Sequence, residues 1–210
     1  MDNLIYILFV SVFVPILLMA ALIEKKARHP ITFVLIGIFV SVFAAELNGL
    51  LRSVLPMSTF EITIIVTPIT EEILKAVPIL VYALLISAKK ELLFTASMAV
   101  GIGFAVLENA FYLLNDASFN MIDALIRAFG AGLMHGMCTL LVGVGISFAK
   151  KRSKIFVVGT FALLSTAITY HGIYNMLVQS DFEAVGFLLP MATYIPFFVW
   201  RIRKLRKKAK

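Results

Sequence analysis

Apolar residues run along this chain in blocks of about 20, the length at which a helix crosses roughly 30 Å of hydrocarbon. Seven blocks can be read, at residues 3–23, 31–51, 61–87, 92–114, 126–148, 155–179 and 182–200. Charge collects between them in alternation. Lys25, Lys26 and Arg28 follow the first block, Lys89 and Lys90 the third, and Lys150, Lys151, Arg152 and Lys154 the fifth. Arg201, Arg203, Lys204, Arg206, Lys207, Lys208 and Lys210 follow the seventh. The intervening connections hold mainly Arg52, then the stretch Asn115 to Asp123, then Asp181 and Glu183. Basic loops stay in the cytoplasm, so the pattern predicts an N-terminus outside, a C-terminus inside and an odd number of spans. The fold class expected is all-α: one polytopic transmembrane bundle over residues 1–210, with a basic cytoplasmic tail at 201–210. The first block lacks a basic leader before it and reads as a retained span. Phe119, Ile122, Leu125 and Ile126 have the spacing of a short helix lying on the outer surface, over Ser118 to Arg127.

Composition strengthens this picture. The chain is 61% hydrophobic over 210 residues, where a soluble domain is nearer half. The net charge of +7 is spent on the topology and on a tail suited to an anionic inner leaflet. No element that could read nucleic acid is present, so the expected partner is the lipid bilayer of a cell membrane. Cys138 is the only cysteine and has nothing to pair with inside the chain.

What the bilayer does not explain is the set of polar side chains inside the blocks. Each costs free energy to insert. The third block holds Glu71, Glu72 and Lys75, the fourth Glu108 and Asn109, the fifth Arg127 and His135, the sixth His171 and Asn175, and the second Glu46 and Asn48. Given the topology, three glutamates and two histidines from four antiparallel helices fall at about 9 to 15 Å below the outer surface at 1.5 Å per residue. Unrelated structural groups have no reason to share a depth. Residues three or four apart share a helix face, so Lys75 can reach both Glu71 and Glu72, while His171 and Asn175 can look into one cavity. Glu71 and Glu72 themselves are about 100° apart, so only one faces straight inward. Pro68 and Pro78 bracket them and can bend the third helix. Ala128, Gly132 and Gly136 form a small-residue stripe that predicts close packing of the fifth helix. Blander roles suit the others: Arg127 as an interfacial anchor, Asn109, Glu46 and Asn48 as packing residues.

A carboxylate and two imidazoles in a dry layer can activate water in two ways. Two histidines and a glutamate can hold zinc or another divalent metal and leave a position for water. A glutamate can instead act as the base without metal, with His or Asn stabilising the oxyanion. No HExxH or GxSxG is present.

Four segments carry a resemblance. PITEEILK at 68–75, GFAVLEN at 103–109, GLMHG at 132–136 and HGIYN at 171–175 are similar to the signature segments of PrsW-type membrane proteases. That superfamily also holds the CAAX prenyl proteases and a scaffold subunit of gamma-secretase. The resemblance covers residues 60–180. It implies a catalytic set of Glu71, Glu72, Glu108, His135, His171 and Asn175, and leaves open whether a metal, with His135, His171 and Glu108 as its candidate ligands, takes part. Phe104 is followed by Glu108 where the CAAX branch has FxxxH, which argues against prenyl-protein processing. The family implies cleavage of single-span, membrane-tethered regulators such as anti-sigma factors near the outer face. Two other functions fit a polar cluster in a bundle. One is a non-catalytic scaffold. The other is an ion- or proton-coupled transporter, against which the apolar inner halves of spans four to six argue.

Overall fold

The computed structural model describes residues 4–22, 24–115, 121–149 and 153–208. Among these there are seven helices and no strand. They are α1 (Leu4–Leu22), α2 (Lys25–Val54), α3 (59–85), α4 (Lys90–Asn115), α5 (Met121–Ile146), α6 (Ser153–Val178) and α7 (Glu183–Lys208). Five of them, α2 and α4 to α7, contain segments long and apolar enough to cross a membrane. The apolar part of α1 is shorter, Tyr6–Ala20, and α3 carries Glu71, Glu72 and Lys75 in its middle. The surface helix expected over Ser118 to Arg127 lies outside the described residues as far as 120. From Met121 the chain is already in α5, so no separate surface element exists there.

Helix α3 is built in three pieces that run on without a break: Thr59–Glu61, a π-helical stretch Ile62–Val66, and Thr67–Leu85. Its start is fixed by a capping box. The Ser58 hydroxyl accepts from the Glu61 amide at 3.2 Å and the Glu61 carboxylate accepts from the Ser58 amide at 2.8 Å, satisfying two otherwise orphaned donors. The π stretch precedes Pro68, which has no N–H to give to the turn before it. In the wider register Thr67 donates to Ile62, and the next carbonyl, Thr63, faces the proline.

Helices α2 and α4 cross backbone to backbone. A Cβ on Gly37 would sit 2.1 Å from the Val100 carbonyl, and one on Gly103 would sit 2.1 Å from the Val34 carbonyl. Only glycine permits that approach from each side. Helix α5 closes on the other face of α4, where a Cβ on Gly101 would meet the His135 carbonyl at 2.4 Å. Of the expected stripe at Ala128, Gly132 and Gly136, only Gly136 joins this contact, its Cα 2.8 Å from that Cβ. Gly132 has nothing within 4 Å, and the stripe borders an open groove of about 210 Å³. The close approach pairs Gly101 of α4 with the His135–Gly136 backbone of α5.

Below the polar layer, a core of Ile79, Ala83, Leu93, Ala96, Met134, Cys138 and Ala167 joins α3 to α6. Large apolar residues such as Leu85, Val158 and Phe161 are exposed on the outside of the bundle, as expected of helices that face lipid rather than water.

Candidate active site

Helices α3, α4, α5 and α6 deliver Glu71, Glu72, Lys75, Glu108, His135 and His171 to one place. Glu108 and His171 stand about two turns before the last residues of their helices at 3.6 residues per turn. Glu71, Glu72, Lys75, His135 and His171 are all buried, and Glu108 is partly open to the cavity.

The contacts form a chain. Glu72 Oε1 accepts from Lys75 Nζ at 2.6 Å and lies 2.9 Å from His171 Nδ1. Lys75 Nζ continues to His135 Nδ1 at 2.8 Å, and His135 Nε2 stands 2.7 Å from Glu108 Oε2. The ammonium also lies 4.6 Å from the centre of the Phe104 ring, a favourable place for a desolvated cation. The two imidazoles meet edge to face, with centroids 4.9 Å apart. A buried charge is tolerable only when paired, and here Glu72 and Lys75 neutralise each other.

Glu71 stands apart from that chain. Its Oε1 accepts a hydrogen bond from Asn48 Nδ2 at 3.3 Å. Its Oε2 is buried without a hydrogen-bond partner and lies 3.9 Å from His171 Nε2. Glu71 lines a cavity and Glu72 is packed behind it, so the first glutamate of the pair is the one that faces inward. The cavity has two lobes, of about 390 and 290 Å³, that share Arg52, Thr63, Thr67, Glu108 and Tyr112 as walls.

Asn175 borders the larger lobe but does not touch His171. Its amide donates to the Thr63 carbonyl at 3.0 Å, the group left facing Pro68. The i, i+4 spacing put His171 and Asn175 on one face, and the unsatisfied carbonyl on α3 drew the asparagine across. Arg127 points inward rather than serving as an outward anchor. Its guanidinium lies 4.1 Å from the centre of the Tyr112 ring, and it borders the larger lobe. Asn109 Nδ2 donates to the Arg127 carbonyl at 3.3 Å, a packing role as expected. Glu46 accepts from the Tyr6 hydroxyl at 2.6 Å, away from the cluster. Asn48, expected only to pack, joins the site: it holds Glu71 and accepts from the Thr70 hydroxyl. It lies outside the four motif segments. The available signal was an asparagine well inside an apolar span.

One atom each from Glu71, His135 and His171 falls within a group less than 4.8 Å across. The orphaned Glu71 Oε2 and the His171 Nε2 3.9 Å from it offer a metal an oxygen and a nitrogen side by side. The Glu72 carboxylate on His171 Nδ1 is the outer partner that metal-bound histidines commonly have. The residues therefore fit a divalent metal. The carboxylate that shares reach with both imidazoles is Glu71, while Glu108 hydrogen-bonds His135 from the cavity side.

A family model described as PrsW family intramembrane metalloprotease matches residues 25–201 of the chain. No curated protein and no solved structure matches it.

Proposed function

The chain belongs to the PrsW family of intramembrane metalloproteases, hydrolases that act on peptide bonds, and from that premise we propose how this site works and on what. The observation that carries the reading is the pair formed by Glu71 Oε2 and His171 Nε2, 3.9 Å apart and buried at a cavity wall. Glu71 and His171 bind and activate the hydrolytic water, directly or through a divalent ion such as zinc. They would hold that ion, while His135, close to both, keeps its two ring nitrogens on Lys75 and Glu108. Bound there, the metal supplies a more acidic water and a Lewis-acid contact for the scissile carbonyl. His135 supplies a hydrogen bond to the carbonyl oxygen. Glu108, on the cavity side of His135, carries the proton to the leaving amine. Glu72 and Lys75 orient the two histidines, and Asn175 ties α6 to α3.

The substrate is a single-span membrane protein, of the anti-sigma-factor kind, cut near the outer face of a prokaryotic plasma membrane. The charge alternation supports this geometry by placing the polar layer in the outer part of the bundle. The test is cleavage of tagged single-span proteins in cells, comparing the parent with Glu71→Ala and His171→Ala at matched membrane levels. A product made only by the parent supports the reading. Chelation then separates the two chemistries: loss of product with restoration by zinc requires the metal, and full activity in chelator requires the carboxylate alone. A product that persists in both variants would exclude this site.

A further inference from the structure

Lys75 touches both halves of the cluster, and its chemistry limits what the histidines can be. An ammonium has three donors and no acceptor. Nζ stands 2.8 Å from His135 Nδ1, so that nitrogen must present its lone pair. A neutral imidazole has one N–H, which then sits on Nε2 and donates to Glu108 Oε2 at 2.7 Å. His171 is held the opposite way. Its Nδ1 lies 2.9 Å from Glu72 Oε1, an oxygen that accepts only, so Nδ1 carries the proton and, in the neutral ring, Nε2 is bare. The hydrogen bond on one ring nitrogen fixes the state of the other.

We propose that Lys75 is a positioning residue that, together with Glu72, gives the two buried histidines opposite tautomers, making His135 a hydrogen-bond donor at Nε2 and leaving His171 Nε2 as the free imidazole lone pair beside Glu71. Every contact in the chain from Glu108 through His135, Lys75 and Glu72 to His171 then pairs a donor with an acceptor. Reversing either ring sets donor against donor or lone pair against lone pair. The assignment deepens the protease reading and rests on it for the roles: His171 with Glu71 meets the water or a metal ion, and His135 meets the substrate oxygen. It also separates two histidines that distance alone groups together with Glu71.

The chain has three histidines, which makes a direct measurement practical. The full chain, labelled with 15N-histidine and held in lipid bilayers with chelator present, is measured by solid-state NMR. His29→Asn, His135→Asn and His171→Asn assign the signals. The expected spectrum has His135 protonated at Nε2 and His171 at Nδ1. Lys75→Met removes the donor and releases His135 from a single tautomer while leaving His171 unchanged, and Lys75→Arg preserves both. Added zinc shifts the His171 Nε2 signal and leaves His135 Nε2 protonated. A parent spectrum with both histidines in one tautomer, or with His135 protonated at Nδ1, overturns the proposal without any variant. So does a His135 signal that ignores Lys75→Met, or one that loses its Nε2 proton to zinc. Because no cleavage is needed for the readout, an inactive chain with the expected spectrum would defeat the protease reading and leave this one standing.

Discussion

Glu71 and Glu72 are neighbours in sequence with different tasks. Glu72 is bound to Lys75 and His171 through one oxygen, whereas Glu71 is held by Asn48 alone and lines the cavity. The two should therefore separate experimentally. Glu71→Gln is expected to lower cleavage by at least about 100-fold, the scale of a lost acid–base group, with the melting temperature unchanged or raised. Glu72→Ala is expected to lower activity and also to destabilise the fold by about 3–5 kcal/mol, because it strands a buried ammonium. Thermal melts of both variants in detergent check this, and a larger loss in the Glu71 variant would reverse the assignment. The sequence made the polar layer legible, since insertion energetics single out each of its members. Which glutamate faces the cavity was not legible, because a 100° choice depends on helix register. Nor was Asn48, whose contact to Glu71 comes from a helix outside the motif segments.

Helix α3 reaches the site through a wide turn and a proline. The Thr63 carbonyl depends on Asn175 for its hydrogen bond. Asn175→Ala should cost about 1–3 kcal/mol, the penalty for an unpaired buried group. Pro68→Ala restores an N–H to the turn and offers that carbonyl a local partner. A double-mutant cycle should then show the Asn175→Ala cost shrinking on the Pro68→Ala background. Equal costs on both backgrounds would mean that the proline is not what frees the carbonyl. Spacing put Asn175 on the correct face of α6 but could not name its partner, which is a main-chain atom exposed by a local irregularity. The hydropathy blocks, in contrast, predicted α1, α3, α4 and α6 to within two residues at each end and placed the seven-helix bundle without any tertiary information, whereas α2 and α5 begin six and five residues earlier and α7 runs eight residues further, through the basic segment.

At the scale of the whole molecule, glycine placement decides which helices can touch. Gly37→Leu or Gly103→Leu drives a side chain into a facing carbonyl and should abolish stable expression, while Gly132→Ala meets open space and should leave the folding free energy within about 0.5 kcal/mol of the parent. Comparable losses at all three positions would contradict the crossing described for α2 and α4. The chain's orientation is proposed from its loops as N-terminus outside and C-terminus inside. Cysteines introduced at Ser58 and at Ser87 in a Cys138→Ala chain should label from opposite sides of sealed vesicles. Labelling of both from one side would remove the argument that the polar layer lies near the outer face. The glycine contacts were not legible because sequence shows where small residues recur but not which recurrence meets a neighbour.

The wide turn at Ile62–Val66 acts as a vernier between the capped start of α3 and the two glutamates. A π turn takes in one residue more than an α turn. Straightened to α geometry, the turn would rotate every later side chain by about 100°. Glu71 would take the bearing now held by Glu72, and Thr70 would look toward the cavity in place of Glu71. Four apolar residues and a threonine, none of them acting on the substrate, thus choose which of two adjacent carboxylates meets it.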